Sequence, residues 1–195
     1  MSKIVAFENV TLDGVMQAPA HPDEDRRGGF EHGGWAIPYA DEASMKAASA
    51  GMADTGAVLL GRVTYEQFAT VWPNQPDNPF GAFLNATPKY VASRTLREPL
   101  PWANSQLLDG EARDAVDAVR RLHDEPGKDI VILGSGDLVR SLLPHRLIDQ
   151  LVLQIHPLVL GSGTHLFADD GDLARFRLAD ATPTSTGVIV ATYVA

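Results

Sequence analysis

Residues 130–139 of the chain read Ile130-Val131-Ile132-Leu133-Gly134-Ser135-Gly136-Asp137-Leu138-Val139. The four aliphatic residues predict a buried strand, the glycines allow a tight turn, and we expect a helix over 137–143. Where a strand passes through glycines into a helix, unpaired backbone N–H groups at the helix start bind anions readily. The stretch therefore predicts either a phosphate-binding turn or a turn with a purely structural role.

The same strand, glycine and helix pattern extends outward from this stretch in both directions. Apolar spacing predicts strands at 4–12, 57–60, 89–93, 150–156, 176–181 and 188–194, and helices at 41–52, 64–71 and 111–123. A β-rich last quarter follows the alternating part. We therefore predict one α/β domain over residues 1–195, with about eight strands in a mostly parallel sheet, an antiparallel C-terminal edge and about four helices.

Composition narrows the possible partners. The chain has 16 Lys and Arg against 25 Asp and Glu, a net charge of -9, which disfavours binding along a nucleic-acid backbone. It has no cysteine, which excludes disulfides, a thiolate nucleophile and a Cys-ligated metal. No apolar run is long enough to cross a membrane, and no signal peptide is visible. We expect a cytoplasmic protein without nucleic-acid or membrane partners.

The six histidines show no metal-ligand spacing, so we predict no metal site. The glycine turn fits a Rossmann dehydrogenase poorly, because Val139 replaces the third glycine of that fingerprint and the turn comes late in the chain. A P-loop is excluded because no Gly-x-x-x-x-Gly-Lys run occurs.

Two further strands each end in an arginine beside a hydroxyl. Gly61-Arg62-Val63-Thr64 follows one strand and Ser93-Arg94 follows the next. Ligands of open α/β sheets lie outside the carboxyl ends of the strands, and a guanidinium with neighbouring hydroxyls matches a phosphate group. Taken singly, each arginine is better interpreted as an ordinary surface residue.

Together, these segments resemble a known family. Leu60-Gly61-Arg62-Val63-Thr64-Tyr65-Glu66, Val91-Ala92-Ser93-Arg94 and Gly134-Ser135-Gly136-Asp137-Leu138 resemble, in order and spacing, the three NADPH-binding segments of the dihydrofolate reductase superfamily. The run from Leu151 to Gly163, with Leu166-Phe167, resembles its riboflavin-biosynthesis branch, the reductase domain of bifunctional deaminase-reductases that also occurs as a free-standing protein. The resemblance covers nearly the whole chain.

The resemblance implies an NADPH-dependent reductase of a small heterocyclic molecule, such as 5-amino-6-(5-phosphoribosylamino)uracil or dihydrofolate. Arg62, Thr64, Ser93 and Arg94 would hold the adenosine 2'-phosphate side of NADPH, with Gly61 at the turn. Gly134, Ser135, Gly136, Asp137 and Leu138 would form the pyrophosphate segment. Ser135 is a departure, because the family often has a third consecutive glycine there. The resemblance also implies a homodimer, which would cover an edge of the β-rich tail.

Two carboxylates are candidates for assisting reduction. Asp13, in Thr11-Leu12-Asp13-Gly14, resembles the Ser-x-Asp-Gly position that lines the site in the riboflavin branch, and it could equally be a turn residue. Asp41 is nearest to the carboxylate of dihydrofolate reductases, and it could equally cap the following helix. We expect Asp13 to assist reduction and Asp41 mainly to cap.

The substrate stays open at this point. A ribose phosphate needs basic groups, but Arg26 and Arg27 in the long loop over 17–34 directly follow Asp23, Glu24 and Asp25. Solvated loop charge is therefore the better interpretation. An alternative of another class is a non-catalytic NADPH-binding module or sensor on the same fold.

Overall fold

The computed structural model describes residues 1–108, 112–167 and 169–195. Their strands are β1 Ile4–Thr11, β2 Thr55–Gly61, β3 Lys89–Ala92, β4 Ser105–Leu108, β5 Asp129–Leu133, β6 Gln150–His156, β7 Arg177–Pro183 and β8 Ile189–Val194. They form one sheet in the order β4-β3-β2-β5-β1-β6-β8-β7. Every pairing from β4 to β6 is parallel, whereas β8 and β7 are antiparallel. The predicted mostly parallel sheet with an antiparallel C-terminal edge is confirmed.

The described residues contain five α-helices, one more than the sequence predicts. They are α1 Glu42–Asp54, α2 Arg62–Val71, α3 Pro79–Ala86, α4 Ala112–Asp124 and α5 Gly136–Leu142. Glu111, the predicted start of the helix observed as α4, lies outside the described residues. The helix missed is α3, although Asn78 caps it by accepting from the N–H of Phe80 at 2.9 Å and Pro79 occupies its first position.

The helices cover both faces of the sheet. On one face, α2 and α3 pack over Val58, Leu60 and Val91 in a cluster that includes Tyr65, Leu84 and Trp102. On the other face, α4 and α5 pack over alternate residues of β1, β5 and β6. We call these two faces the α2 face and the α5 face. Side chains alternate along a strand, so the even-numbered residues of β1 lie on the α5 face, namely Ile4, Ala6, Glu8 and Val10. Asn9 and Thr11 lie on the α2 face.

Strand β1 separates from β5 before it ends. It pairs with β5 from Ile4 to Phe7 but with β6 from Val5 to Thr11. The last four residues of β1, 8–11, therefore have β6 on one side only, while β5 turns away at Gly134. A crevice opens between the two carboxyl ends, at the place where ligands bind in open α/β sheets. We call it the β1–β5 crevice.

Glu8 is the unusual member of this central strand. It is 1% exposed on the α5 face, and its Oε1 has no hydrogen-bond partner among the described residues. Burial raises the pKa of the Glu8 carboxyl well above its ordinary value of 4.5, and the charge of Arg140 opposes that shift. Ionisation of Glu8 therefore lowers the free energy of unfolding of the folded chain.

We predict that Glu8→Gln removes part of the pH dependence of stability. Below pH 4.5 Glu8 is protonated in both folded and unfolded chains, and its contribution to stability is fully present. As the pH rises towards the raised pKa the unfolded chain ionises first, and that stability is lost at about 1.4 kcal/mol per unit of pKa difference.

Urea unfolding at a series of pH values measures the difference. The variant should gain free energy of unfolding over the wild type as pH increases, whereas Glu31→Gln, at an exposed loop position, should follow the wild type. Parallel pH curves for wild type and Glu8→Gln would contradict the burial argument.

Candidate functional site

The parallel sheet gathers the predicted cofactor segments at one edge. Gly61 ends β2, and it is in register with Ala92 at the end of β3. Arg62 and Ser93 therefore leave neighbouring strands side by side. The Gly134 turn leaves β5, the strand on the other side of β2. The structure thus brings the three segments together, although they are far apart in sequence.

Ser135 joins two of these turns. Its Oγ accepts the N–H of Gly61 at 2.8 Å, and its own hydrogen lies within reach of Thr64 Oγ1 at 3.1 Å and of the Leu133 carbonyl at 3.2 Å. The residue is only 6% exposed. The hydroxyl that replaces the expected third glycine is therefore used inside the protein, where it fixes the β2–α2 turn against the β5–α5 turn.

The glycines of the β5–α5 turn have different surroundings. Gly134 has a φ of 61°, a left-handed conformation that favours glycine. At Gly136, a Cβ would collide with Sδ of Met16, a residue of the loop after β1. Met16 therefore occupies the space beside Gly136, and a ligand reaching that glycine has to displace a flexible thioether.

The rest of the pyrophosphate segment is less available than the sequence suggests. Leu138 is 7% exposed in the core, and its N–H donates to the Ser135 carbonyl at 2.8 Å. Asp137 is exposed and forms an ion pair with Arg140. Neither side chain is left in a position typical of phosphate binding, so their part in cofactor binding stays a prediction.

The two arginines are accessible at the same edge. Arg62 Nη1 lies 2.8 Å from Glu66 Oε2, and their side chains are 45% and 47% exposed. Arg94 is exposed and has no ion-pair partner among the described residues. Ser93 Oγ accepts the N–H groups of Thr95 at 3.1 Å and Leu96 at 3.0 Å, which fixes the turn that carries Arg94. Both guanidinium groups can reach a ligand.

Asp13 holds two loops together. Its carboxylate accepts from the Thr11 hydroxyl and from the backbone N–H groups of Leu160, at 3.3 Å, and Gly161, at 2.8 Å. The Thr11 hydrogen bond is the main cause that lowers the pKa of Asp13, and the two backbone N–H groups add to it. At neutral pH the group is therefore an ionised acceptor fixed to the loop after β6. These contacts fit a positioning role and not proton donation.

Asp41 caps α1. One carboxylate oxygen accepts the N–H of Ser44 at 2.8 Å, in a capping box, and the other accepts the N–H and hydroxyl of Ser185 at 2.9 and 2.7 Å. These hydrogen bonds, that of Ser44 first, lower the pKa of Asp41. The capping role expected from the sequence is present.

The long loop after β1 crosses the carboxyl edge of the sheet. Gln17 fixes it: Nε2 donates to the Arg27 carbonyl at 3.0 Å, and Oε1 accepts the N–H of Thr164 at 2.9 Å. A pocket of about 390 Å³ lies between this loop and the loop after β6. It is lined by Gln17, Arg27, Gly28, Gly29, Phe30, Ser162, Gly163 and Thr164. Arg26 pairs with Asp23 and Arg27 with Asp25, so the loop's basic charge is compensated locally.

Asn9 and His156 are candidate site residues that the sequence analysis missed. Asn9 lies two residues before the end of β1 and His156 ends β6, both on the α2 face, with His156 Nε2 3.0 Å from Asn9 Oδ1. Trp35 and Tyr39 pack edge-on against the imidazole, at centroid distances of 5.0 and 5.6 Å. Burial lowers the pKa of His156 to about 4, so the ring is neutral at physiological pH. The polar alternation at the ends of two neighbouring strands was the available signal.

Comparison with known proteins places this geometry in a family. The model of the RibD C-terminal domain family matches residues 2–190. The chain belongs to the RibD C-terminal domain family. The chain is also similar to YyaP of Bacillus subtilis, described as uncharacterised, at 28% identity over 144 residues, which are 70% of this chain and 72% of YyaP.

Solved structures show the same fold. A protein of Shewanella sp. PV-4, provisionally named a riboflavin biosynthesis protein, matches with a TM-score of 0.71 at 20% identity over 98% of both chains. A pyrimidine reductase-like protein of Corynebacterium diphtheriae matches with a TM-score of 0.65 at 15% identity, over 99% of this chain and 91% of its own. The resemblance predicted from the sequence is confirmed at the level of family and fold. No helix of the described residues has the length and apolar character that crossing a membrane requires.

We predict that Ser135→Ala lowers the free energy of unfolding by about 1–3 kcal/mol, because it leaves the N–H of Gly61 without its acceptor in a partly buried turn. Chemical denaturation measures the change. Ser141→Ala is the matched control, since Ser141 lies on the exposed side of α5, the helix that Ser135 precedes. Its hydroxyl donates to the Leu138 carbonyl within that helix. Equal losses in both variants would contradict the bridging role.

Proposed function

We propose that the chain is an NADPH-dependent reductase of a small heterocyclic molecule. The observation that carries the proposal is the β1–β5 crevice, which has the Gly61 and Gly134 turns on one side and Asn9 with His156 on the other. Membership of the RibD C-terminal domain family supports a reductase. The riboflavin and pyrimidine descriptions of the similar structures support a heterocyclic substrate.

The residues at the sheet edge fit NADPH. Arg62, which is half-exposed beside Glu66, and Arg94, which has no ion-pair partner among the described residues, leave neighbouring strands. Thr64 and Ser93 add hydroxyls, and the set matches a 2'-phosphate for which Arg62 would exchange Glu66. The turn at Gly134 lies beside them, held by Ser135. When bound, NADPH supplies a hydride. The chain's own residues hold the cofactor and orient the substrate.

The chain offers little for a ribose phosphate on the substrate. Arg26 and Arg27, the basic residues of the long loop, are both paired with aspartates two or three residues away. We therefore propose the heterocycle itself as the recognised part, and 5-amino-6-(5-phosphoribosylamino)uracil and dihydrofolate as the two compounds to test. The homodimer and the cytoplasmic location stay predictions.

We predict that the chain prefers NADPH to NADH and that the double variant Arg62→Ala, Arg94→Ala loses this preference. Charge-assisted hydrogen bonds contribute about 1.5–3 kcal/mol, so NADPH affinity should fall about 10- to 100-fold while NADH affinity stays the same. Titration of both nucleotides by fluorescence measures this. Arg177→Ala, an exposed arginine on β7, is the control. Equal affinities of the wild type for both nucleotides would refute the 2'-phosphate assignment.

We predict that Asp13→Asn slows substrate reduction and leaves NADPH affinity unchanged. The amide carries no charge, and it can no longer accept from Thr11, Leu160 and Gly161 together, so the loop after β6 loses its attachment beside the crevice. The loss of reduced-nicotinamide absorbance with each test compound gives kcat and KM. Asp180→Asn on exposed β7 is the control.

A variant as active as the wild type would remove Asp13 from the mechanism. If the wild type binds NADPH but oxidises it with neither compound, the non-catalytic binding module is favoured over the reductase.

A further inference from the structure

The pair formed by Asn9 and His156 carries an inference beyond cofactor binding. His156 is 3% exposed, and its Nδ1 is buried without a hydrogen-bond partner among the described residues. Its other nitrogen, Nε2, faces Asn9 Oδ1 at 3.0 Å. Trp35 is 7% exposed, and its Nε1 donates to the Gln17 carbonyl at 2.7 Å, so the ring packed against His156 is itself fixed.

The surroundings select one tautomer of His156. A neutral imidazole has a single N–H, and the ring is surrounded by aromatic edges and by the Asn9 amide. With the hydrogen on Nε2, the ring donates to Asn9 Oδ1 and leaves only an unpaired acceptor at Nδ1. With the hydrogen on Nδ1, a donor would be buried without an acceptor, which proteins tolerate less often. The Nε2–H tautomer is therefore favoured.

This tautomer fixes the orientation of the Asn9 amide. Because Oδ1 accepts from His156, the Nδ2 hydrogens must point away from the imidazole. Asn9 is half-buried, and its Nδ2, which has no acceptor among the described residues, is partly accessible to solvent. Asn9 also lies in the part of β1 that β5 no longer covers.

We propose that Asn9 determines substrate specificity by donating its Nδ2 hydrogens to a ring carbonyl of a planar heterocyclic lactam or imide, with His156 as the positioning residue that fixes the amide. The inference rests on the proposed function, because it assigns to Asn9 and His156 the recognition of the substrate in the same crevice. A free asparagine could turn over and bind either a donor or an acceptor. An asparagine held by His156 presents donors only.

The tautomer is tested first, without any ligand. Nitrogen-15 NMR of the histidine-labelled protein at pH 7 distinguishes the two neutral forms, and loss of a signal in the variant His156→Gln assigns the residue. We expect His156 to carry its hydrogen on Nε2. A hydrogen on Nδ1, or a charged ring, would overturn the proposal, since Asn9 would then be free to turn or differently held.

The substrate class is tested with two rings of equal size. Quinazoline-2,4-dione carries ring carbonyls and quinazoline does not. Calorimetric titration of the NADPH-loaded protein should give about fivefold tighter binding of the dione or more, since one hydrogen bond contributes about 1 kcal/mol. The Asn9→Asp variant replaces the donor by an acceptor and should lose this preference while NADPH affinity is unchanged.

Variants of His156 separate positioning from simple packing. His156→Gln keeps an N–H that can donate to Asn9 Oδ1 and should keep the preference for the dione. His156→Leu removes the donor and should reduce the preference, with thermal unfolding used to verify that each variant is folded. Asn9→Ser serves as a second, uncharged variant without the amide donor, and it should also lose the preference.

The outcomes separate this proposal from the proposed function. Preference for the dione in the wild type, lost in Asn9→Asp and Asn9→Ser, supports the assignment even if no compound is reduced. An equal preference in wild type and both Asn9 variants, or no dione binding to the wild type, overturns it even if NADPH is bound and oxidised with another substrate.

Discussion

The site depends on the separation of β1 from β5. Both strands belong to the same parallel sheet, but β1 leaves β5 after Phe7 and continues beside β6 to Thr11. The hydrogen bonds to β6 keep β1 extended, so the carboxyl ends of β1 and β5 part without loss of the sheet. The features to which we assign function lie along the same carboxyl edge of the sheet, with the Gly134 turn and the Asn9 amide at the crevice and the two arginines at the ends of the next strands, β2 and β3.

Polar contacts between distant parts of the chain hold the walls of this crevice. Ser135 fixes the turn after β5 to the turn after β2, Asp13 fixes the end of β1 to the loop after β6, and Gln17 fixes the long loop to Thr164. Each of these bonds satisfies a backbone N–H, in a partly buried place at Gly61 and Thr164 and in an exposed place at Gly161. The crevice therefore has its shape before any ligand binds, and donors that are already ordered lose little conformational entropy on binding.

The sequence predicted those parts of the fold that local pattern controls. Strand β6 was predicted at its observed bounds, because apolar residues and a following proline define it locally. Helix α3 was missed, since Gly81 lies in it and a Cβ there would collide with the Gln75 carbonyl, a packing constraint invisible in the sequence. Edge strand β4, Ser105–Leu108, was also missed, because it has none of the β-branched and aromatic residues that predict a strand. The partners Asn9 and His156 are 147 residues apart, so only the folded sheet shows that they meet.

Amide hydrogen exchange with and without NADPH tests the central claim most directly, because it reports where on the chain the cofactor binds. The account predicts increased protection at the turns 61–64 and 134–138 and at the end of β1, with no change at the antiparallel edge formed by β7 and β8. Protection confined to the pocket between the two loops, at 27–30 and 162–164, with the two turns unchanged, would contradict it.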